Sequence, residues 1–193
     1  ASTFGAYDMA YGNGRFVTVG GGWRSGSSGG SKPQVMVSVD GKQWRMNYDI
    51  PYATSAILFR NGRFITVSNQ SGTITFLYSL DGLTWTTGNI YSDVGTILHL
   101  EYRNGVYFGI GASDLIITSA DGNDWVVRNP VGDASYPEGV SYTAGRYVVS
   151  SAAGGVLISD DDGISWTTHA TVQDNGDTTT TGITLRSVNI SSL

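Results

Sequence analysis

Short runs of alternating apolar and polar residues, interrupted by glycine and asparagine, extend along most of the chain. Four runs share one pattern, in which aromatic and β-branched residues flank a two-residue turn. Asn-Gly at three of these turns supplies the two residues of positive φ that a type I′ hairpin needs. The pattern therefore predicts a pair of antiparallel strands at each of four places. The four segments are Tyr11–Val19, Phe59–Val67, Tyr102–Ile110 and Tyr142–Ser150.

A second pattern follows each hairpin. It consists of serine, one variable residue, aspartate and glycine, with a tryptophan a few positions later. Successive tryptophans are 41, 40 and 41 residues apart. Two markers that keep one period and one order indicate an internal repeat of about 40 residues. The copies are Ser38–Trp44, Ser79–Trp85, Ser119–Trp125 and Ser159–Trp166, of which the last is one residue longer.

Each repeat predicts four strands: two around the hairpin turn, one that enters the serine–aspartate turn and one that leaves it. Four short strands in about 40 residues are the unit of a β-propeller blade. A blade buries its faces against its neighbours, so it needs a ring to be stable. We therefore expect an all-β fold, a β-propeller of four blades over residues 1–170.

The last copy of the second pattern resembles the Asp-box, Ser/Thr-x-Asp-x-Gly-x-Ser/Thr-Trp, of the BNR or sialidase-like propellers. The other three copies resemble a form that is one residue shorter, and the resemblance covers about residues 4–169. It implies that the aspartate caps backbone N–H groups between the third and fourth strands and that the tryptophan packs into the blade. The residues expected to have this structural role are Asp40, Trp44, Asp81, Trp85, Asp121, Trp125, Asp161 and Trp166.

The turns are uniform from repeat to repeat, whereas the loops expected on the opposite face vary in length and composition. Irregular loops on a regular scaffold commonly carry binding residues. The tryptophan and arginine of the first such loop either contact a sugar ring or a partner, or cover a neighbouring loop. The tyrosines of the blade connections either bind a partner or pack between blades. The predicted ligand- or partner-binding residues are Trp23, Arg24, Tyr48, Tyr52, Tyr91 and Tyr136.

Residues 171–193 form a Thr-rich linker and a C-terminal strand or tail. Within it, Gly182–Ile190 resembles the first strand of another blade. Three hypotheses fit this segment: an extension of a four-blade ring, the start of a fifth blade, or a strand that pairs with another chain.

Charge and composition narrow the classes of partner. The net charge is −5, and no cluster of lysine and arginine exists, so we expect no nucleic-acid partner. No run of 18 apolar residues exists, so we expect no membrane insertion. The chain has no cysteine, and His99 and His169 lack further ligands at metal-binding spacing. We therefore expect neither a metal site nor a cofactor.

The sequence also argues against catalysis. A sialidase-like site needs three converging arginines, a Tyr/Glu pair and an acidic aspartate, and the Arg-Ile-Pro-type motif of that family is absent. No spacing singles out a pair of carboxylates for glycoside hydrolysis. We therefore expect no catalytic residues and no enzyme activity.

The resemblance also extends to propeller modules of phage virion proteins and bacterial surface proteins. It implies a non-catalytic recognition or assembly module that binds a glycan or a protein. Such a module is expected in a virion, as a decoration or fibre protein, or at the cell surface or outside the cell. A sialidase-like glycoside hydrolase and an intracellular assembly-factor propeller are the two alternatives.

Overall fold

The structure is a computed structural model. The part of the chain that it describes consists of β-strands joined by turns and short connections. These residues form sixteen strands in four antiparallel sheets of four, and strands that are neighbours in a sheet are consecutive in sequence. We call the sheets blades 1 to 4. The predicted all-β fold class with four strands in each repeat is confirmed. The described residues are 3–23, 32–47, 50, 53–112, 114–128, 137–151 and 155–170.

The chain divides into two compact units between Leu100 and Glu101. The first unit contains blades 1 and 2. Blade 1 consists of β1 (Thr3–Gly12), β2 (Arg15–Trp23), β3 (Lys32–Ser38) and β4 (Arg45–Asn47). Blade 2 consists of β5 (Thr54–Arg60), β6 (Arg63–Gln70), β7 (Thr73–Ser79) and β8 (Thr86–Tyr91).

The second unit contains blade 4 and most of blade 3, because the division falls inside β9. Blade 3 consists of β9 (Thr96–Arg103), β10 (Val106–Ala112), β11 (Ile116–Ser119) and β12 (Val126–Val127). Blade 4 consists of β13 (Pro137–Thr143), β14 (Arg146–Ser151), β15 (Gly155–Ser159) and β16 (Thr167–Ala170). The predicted tail, residues 171–193, lies outside the described residues, so the domain boundary at residue 170 stays a prediction.

The predicted hairpin turns have the backbone geometry that the Asn-Gly pairs require. Asn13 and Gly14 have φ angles of 48° and 73°, both in the left-handed region. In blade 4, alanine takes the first position, and Ala144 has a φ of 49°. Two consecutive residues of positive φ match the twist of a tight hairpin, which explains why glycine occupies the second position each time.

The core of the first unit lies between two sheet faces. Two alternate residues in each of β2 and β3 are buried valines, as expected for strands that bury one face. We call this the trailing face of blade 1 and the surface that packs against it the leading face of blade 2. Burial of each such side chain stabilises the fold by about 1.5–3 kcal/mol. The trailing face comprises Val17, Val19, Val35 and Val37, and the leading face comprises Ile57, Phe64 and Leu77.

The second unit repeats this arrangement with larger side chains. A trailing face on blade 3 packs against a leading face on blade 4, and the hydroxyl of Tyr147 donates to the carbonyl oxygen of Arg103 over 3.2 Å. The trailing face comprises Phe108, Ile110 and Ile116, and the leading face comprises Val140, Tyr147, Val149 and Leu157.

Polar side chains of one blade also bond to the first strand of the next. This strand is the edge of its sheet, so its outer N–H and C=O groups lack ladder partners. The Asp8 carboxylate accepts a hydrogen bond from the Ile57 N–H over 2.8 Å. The Asn69 amide accepts from the Ile97 N–H over 2.9 Å and donates to the Ile97 carbonyl over 2.8 Å. In the second unit, Glu101 accepts from the Val140 N–H over 3.3 Å. Side chains thus pair with individual backbone groups of these edge strands, in place of a further β-strand.

In the part of the chain that the structure describes, no helix is long and apolar enough to cross a bilayer.

Candidate functional site

The hairpin turn and the serine–aspartate turn lie at the same end of each sheet. In blade 1, Phe16 pairs with Tyr11 of β1 on one side and with Ser38 of β3 on the other. The two turns that follow these residues are therefore neighbours. We call this the turn end of the blade and the opposite end the loop end.

The serine–aspartate turn is held by hydrogen bonds within a few residues. In blade 1, the Asp40 carboxylate accepts from the N–H groups of Lys42 and Gln43 over 2.8 and 2.9 Å. The Ser38 hydroxyl donates to Asp40 over 3.0 Å and accepts from the Gly41 N–H over 2.9 Å. The corresponding serine makes the same contacts in the other three blades. The aspartates of blades 2 and 3 likewise accept from two N–H groups, whereas that of blade 4 accepts from the N–H and the hydroxyl of Ser165. The aspartate and serine thus satisfy the donors of a turn that has few backbone bonds of its own.

The tryptophan after each turn packs beneath it. The indole N–H of Trp44 donates to the carbonyl of Gly41 over 3.2 Å, and Trp85 and Trp166 make the equivalent bond at 3.1 and 3.2 Å. These three side chains are half-buried, whereas Trp125 is 5% exposed and packs edge-on against Tyr107. The tryptophan of blades 1, 2 and 4 is therefore bonded to its turn through the indole N–H, and the burial of this residue differs between blades.

Turn hydrogen bonds account for the shifted aspartate pKa values. The Gln43 N–H is the main cause of the lowered pKa of Asp40, and the Thr84 N–H is the main cause for Asp81. The Asn123 N–H lowers the pKa of Asp121, and the Ser165 hydroxyl lowers that of Asp161 to about 2. Shifted pKa values often mark catalytic groups. Here the local turn explains them.

A shallow groove recurs at the turn end. In the first unit, one groove of about 290 Å³ is lined by Arg15, Val39 and Trp44 of blade 1 together with Leu83 of blade 2. In the second unit, a groove of about 450 Å³ occupies the corresponding place between blade 3 and the turn of blade 4. Sequence analysis did not identify these grooves, because each combines residues that are far apart in the chain.

A further groove, of about 400 Å³, lies at the turn end of blade 2. Arg63 and Tyr78 form one side of it, with the guanidinium carbon 4.5 Å from the ring centroid, and Leu80 lies on its rim. Val39 and Leu80 occupy the variable position of their turns and are 70% and 71% exposed. Each of the two grooves of the first unit thus places an arginine from the hairpin beside an exposed aliphatic side chain.

The two grooves belong to one continuous surface. The Asn13 side-chain amide, at the hairpin tip of blade 1, donates to the carbonyl oxygens of Gly62 and Leu80 over 2.7 and 3.0 Å. The hairpin of blade 1 therefore contacts both turns of blade 2. We call the surface formed by Arg15, Val39, Arg63 and Leu80 the turn-end surface.

Of the residues predicted to bind a partner, the structure describes the side chain of Tyr91 alone. Tyr91 ends β8 at the loop end, is half-buried and packs edge-on against Phe76 at a centroid distance of 6.2 Å. Trp23 ends β2 opposite Thr3, and its side chain is not described. The remaining four lie outside the described residues, so their role stays a prediction; they are Arg24, Tyr48, Tyr52 and Tyr136.

Among the described residues, the ionisable side chains other than the turn aspartates include members of ion pairs and an exposed histidine. Glu101 pairs with Arg103 at 2.6 Å, and Arg146 pairs with Asp160 at 2.6 Å. His99 is exposed on β9. Among the described residues, no group of three or more His, Cys, Asp or Glu side chains is arranged to hold a metal ion.

Comparison with solved structures places the chain among β-propellers. YCF48 from Cyanidioschyzon merolae has a TM-score of 0.60 at 15% identity, over 89% of this chain and 57% of that one. YCF48 bound to D1 peptide has the same TM-score at 16% identity, over 87% and 56%. The WD40 β-propeller domain of Doa1 has a TM-score of 0.58 at 11% identity, over 90% and 57%. A Trypanosoma rangeli sialidase mutant displaying trans-sialidase activity has a TM-score of 0.54 at 15% identity, over 86% and 37%.

These likenesses concern the fold. No family model matches the chain, and no curated protein sequence matches it. The chain spans little more than half the length of the YCF48 and WD40 structures that it resembles. The fold is therefore that of a β-propeller with four blades among the described residues.

Proposed function

We propose that this chain is a non-catalytic recognition and assembly module that binds a protein segment through the turn-end surface. The observation that carries the proposal is the repeated pairing of a guanidinium with an exposed aliphatic side chain, Arg15 with Val39 and Arg63 with Leu80. Two such pairs on adjacent blades suit an extended segment that presents carboxylates beside apolar side chains.

The chemistry of the grooves favours protein over glycan at this surface. Sugar rings stack on free aromatic faces, but the Arg63 guanidinium covers one face of Tyr78. Trp44 is half-buried, with its N–H bonded to Gly41. The structure of YCF48 bound to D1 peptide supports the proposal, since it shows that a propeller of similar fold binds a peptide.

A glycan-binding role rests on the predicted loop-end residues Trp23, Arg24, Tyr48, Tyr52, Tyr91 and Tyr136 and is the second candidate. A sialidase-like hydrolase has weaker support, because that likeness concerns the fold and the shifted carboxylates belong to turns. We keep the Asp-box assignment of the turns as part of the proposal, supported by the serine–aspartate hydrogen bonds. The location in a virion or at the cell surface rests on the family resemblance, and an intracellular assembly factor is the alternative.

Peptide selection tests the proposed surface. The immobilised chain is used to select binders from a displayed library of random dodecapeptides, and their affinities are then measured for three variants. We expect acidic, apolar peptides to bind, and to bind about tenfold more weakly to Leu80→Ser and Arg63→Ala. Ile90→Ser is the matched control, because Ile90 lies on β8 of the same blade and is 60% exposed.

Other outcomes identify the alternatives. Binding that Trp23→Ala abolishes and Leu80→Ser leaves unchanged would move the site to the loop end. A glycan array that gives signals where no peptide is selected would support the glycan role. Turnover of a fluorogenic aryl sialoside would contradict the non-catalytic assignment.

A further inference from the structure

The first strands of blades 1 and 2 are structurally equivalent. Both carry a β-bulge at the same place, between Ala6 and Asp8 in β1 and between Thr54 and Ala56 in β5. Thr18 donates its hydroxyl proton to the Asp8 carbonyl over 2.9 Å, and Thr66 makes the same bond to Ala56 over 2.6 Å. Met9 of blade 1 therefore occupies the position of Ile57 in blade 2, and Tyr11 occupies that of Phe59.

These equivalent positions differ in burial. Ile57 is 4% exposed and its counterpart in blade 4, Val140, is 1% exposed, whereas Met9 is 56% exposed. Tyr11 is 59% exposed, and Tyr7, in the bulge, is 65% exposed. Met9 and Tyr11 alternate along β1 and so place two large exposed side chains on the leading side, as at an interaction surface. Tyr7 corresponds to Ser55, which donates to the Ile97 carbonyl on the other side of blade 2, and is not counted with them. Blade 1 thus has an exposed leading face.

The turn glycines show the same difference. A Cβ on Gly82 of blade 2 would lie 2.5 Å from a methyl of Val17 in blade 1, because the turn packs against the trailing face. Gly41, its counterpart in blade 1, is exposed, and a Cβ there would have the Phe16 ring as its nearest neighbour at 3.7 Å. The whole leading side of blade 1, from strand to turn, is therefore more open than that of blade 2.

The chain itself shows what covers a leading face. In the first unit the cover is the valine stripe of blade 1, in which Val17 pairs with Val37 and Val19 with Val35. In the second unit the same positions of blade 3 hold Phe108, Ile110 and Ile116. A partner that fits the leading face of blade 1 must therefore offer an aliphatic stripe on two antiparallel strands.

Blade 4 carries such a stripe. Val148 pairs with Ile158 and Ser150 pairs with Val156, which matches the register of the valine stripe in blade 1. Val148, Val156 and Ile158 are half-buried, whereas their counterparts in blade 1 are 0–5% exposed. Ser150 is fully buried, but the three aliphatic side chains of this stripe have the chemistry and the partial exposure that a cover for blade 1 requires.

We propose that the leading face of blade 1, which presents Met9 and Tyr11, binds the trailing face of blade 4 of a second copy of this chain. In a two-fold dimer the same pair of faces forms twice.

The mass of the full chain in solution tests the proposal. Light scattering combined with sedimentation is measured over a hundredfold range of concentration, and we expect twice the 20.5 kDa of one chain at the upper end. Met9→Asp and Ile158→Asp each place a charge in the interface and are expected to weaken the dimer at least about 100-fold. A chain of 20.5 kDa at every concentration would overturn the proposal, as would a dimer that neither variant weakens.

Two controls separate this interface from other effects. Leu80→Asp introduces the same charge at an exposed aliphatic residue of the turn-end surface and is expected to leave the mass unchanged, so the outcome is independent of the proposed function. The thermal midpoint of each variant confirms folding, which Met9→Asp should not impair because Met9 is largely exposed.

Cysteine cross-linking identifies the source of the covering blade. The first strand of blade 2 lies against the second strand of blade 1, so Met9 should lie near Val148, the counterpart of Val17. The chain has no cysteine, so the double variant Met9→Cys/Val148→Cys carries the only two thiols. Oxidation of the purified double variant is expected to give a disulfide-linked dimer on a non-reducing gel. A disulfide within one chain would show that blade 4 covers blade 1 of the same molecule, and it would overturn the second-copy assignment.

Discussion

Blades 1 and 2 share one strand plan and differ in what covers their leading faces. In blade 2, Ile57, Phe64 and Leu77 are buried beneath the valine stripe of blade 1, and the Asp8 carboxylate holds the Ile57 N–H. In blade 1, Met9 and Tyr11 are more than half exposed at equivalent positions. Because the local backbone is the same, the difference shows that packing against another blade, more than the repeat itself, determines how deeply each of these residues is buried.

The largest expected effect is in the second strand. Phe64 is fully buried, whereas Phe16, its counterpart in blade 1, is half-buried. We expect Phe64→Ala to lower the free energy of unfolding by about 3–5 kcal/mol and Phe16→Ala by about 1–2 kcal/mol. Urea denaturation at low protein concentration measures both values. Equal losses would show that the two leading faces are equally covered in solution.

Alanine substitutions at the turn glycines distinguish the cost of backbone strain from the cost of a steric clash with the neighbouring blade. Gly41 and Gly82 have φ angles of 70° and 72°, so alanine is strained by about 1 kcal/mol at either position. At Gly82 the new methyl also meets Val17, which we expect to add about 1–3 kcal/mol. Thermal or urea unfolding of the two alanine variants gives the difference directly. A Gly41→Ala variant as unstable as Gly82→Ala would indicate a tightly packed neighbour at the turn of blade 1.

The contact between Asp8 and the edge of β5 is expected to have a smaller effect. Asp8→Ala leaves the Ile57 N–H without its partner and should cost about 1–3 kcal/mol. Hydrogen exchange at the Ile57 amide should accelerate by more than exchange at amides in the middle of β6. Asp8→Asn is the control, because its remaining carbonyl oxygen can still accept the bond. An unchanged exchange rate at Ile57 in Asp8→Ala would contradict the assigned role.

The sequence predicted the parts of the fold that depend on neighbouring residues. Asn13 and Gly14 specify a hairpin through their own φ preferences, and Ser38 and Asp40 bond to donors at most three residues away. These turns recur in every repeat because each one is specified by residues within a few positions of one another. The four-stranded repeat and the all-β fold were therefore predictable.

The contacts between blades were not predictable in the same way. Asp8, Asn69 and Glu101 all bond to the first strand of the next blade, but they differ in residue type and in their position within the repeat. The turn-end surface likewise joins side chains from different repeats, and its arginines, Arg15 and Arg63, resemble ordinary repeat residues in the sequence. The sequence repeat shows which residues all four copies share. The contacts between blades and the turn-end surface depend instead on side chains that come from two different copies.

The smallest expected effect concerns the serine–aspartate turns. Here we expect equivalent substitutions in blades 1 and 2 to change the pH dependence of stability by similar amounts. The pKa values of Asp40 and Asp81 are lowered mainly by N–H groups of their own turns, and Arg15 of blade 1 makes a smaller contribution at Asp81. A lowered carboxyl pKa stabilises the fold above the ordinary value of 3.8 and loses this effect as the pH falls through the folded-state pKa. We therefore expect the thermal midpoint of the wild type to fall as the pH falls below about 4.

Asp40→Asn and Asp81→Asn should each flatten this fall in the thermal midpoint by a similar amount, because each removes one titrating carboxyl and keeps an amide oxygen that accepts from the same N–H groups. Scanning calorimetry between pH 6 and 2 measures the slopes. If Asp81→Asn flattened the curve and Asp40→Asn left it unchanged, the cover over blade 2 would be setting the carboxyl pKa. The pKa of the turn aspartate would then depend on the packing of the neighbouring blade, as the burial of the leading face does.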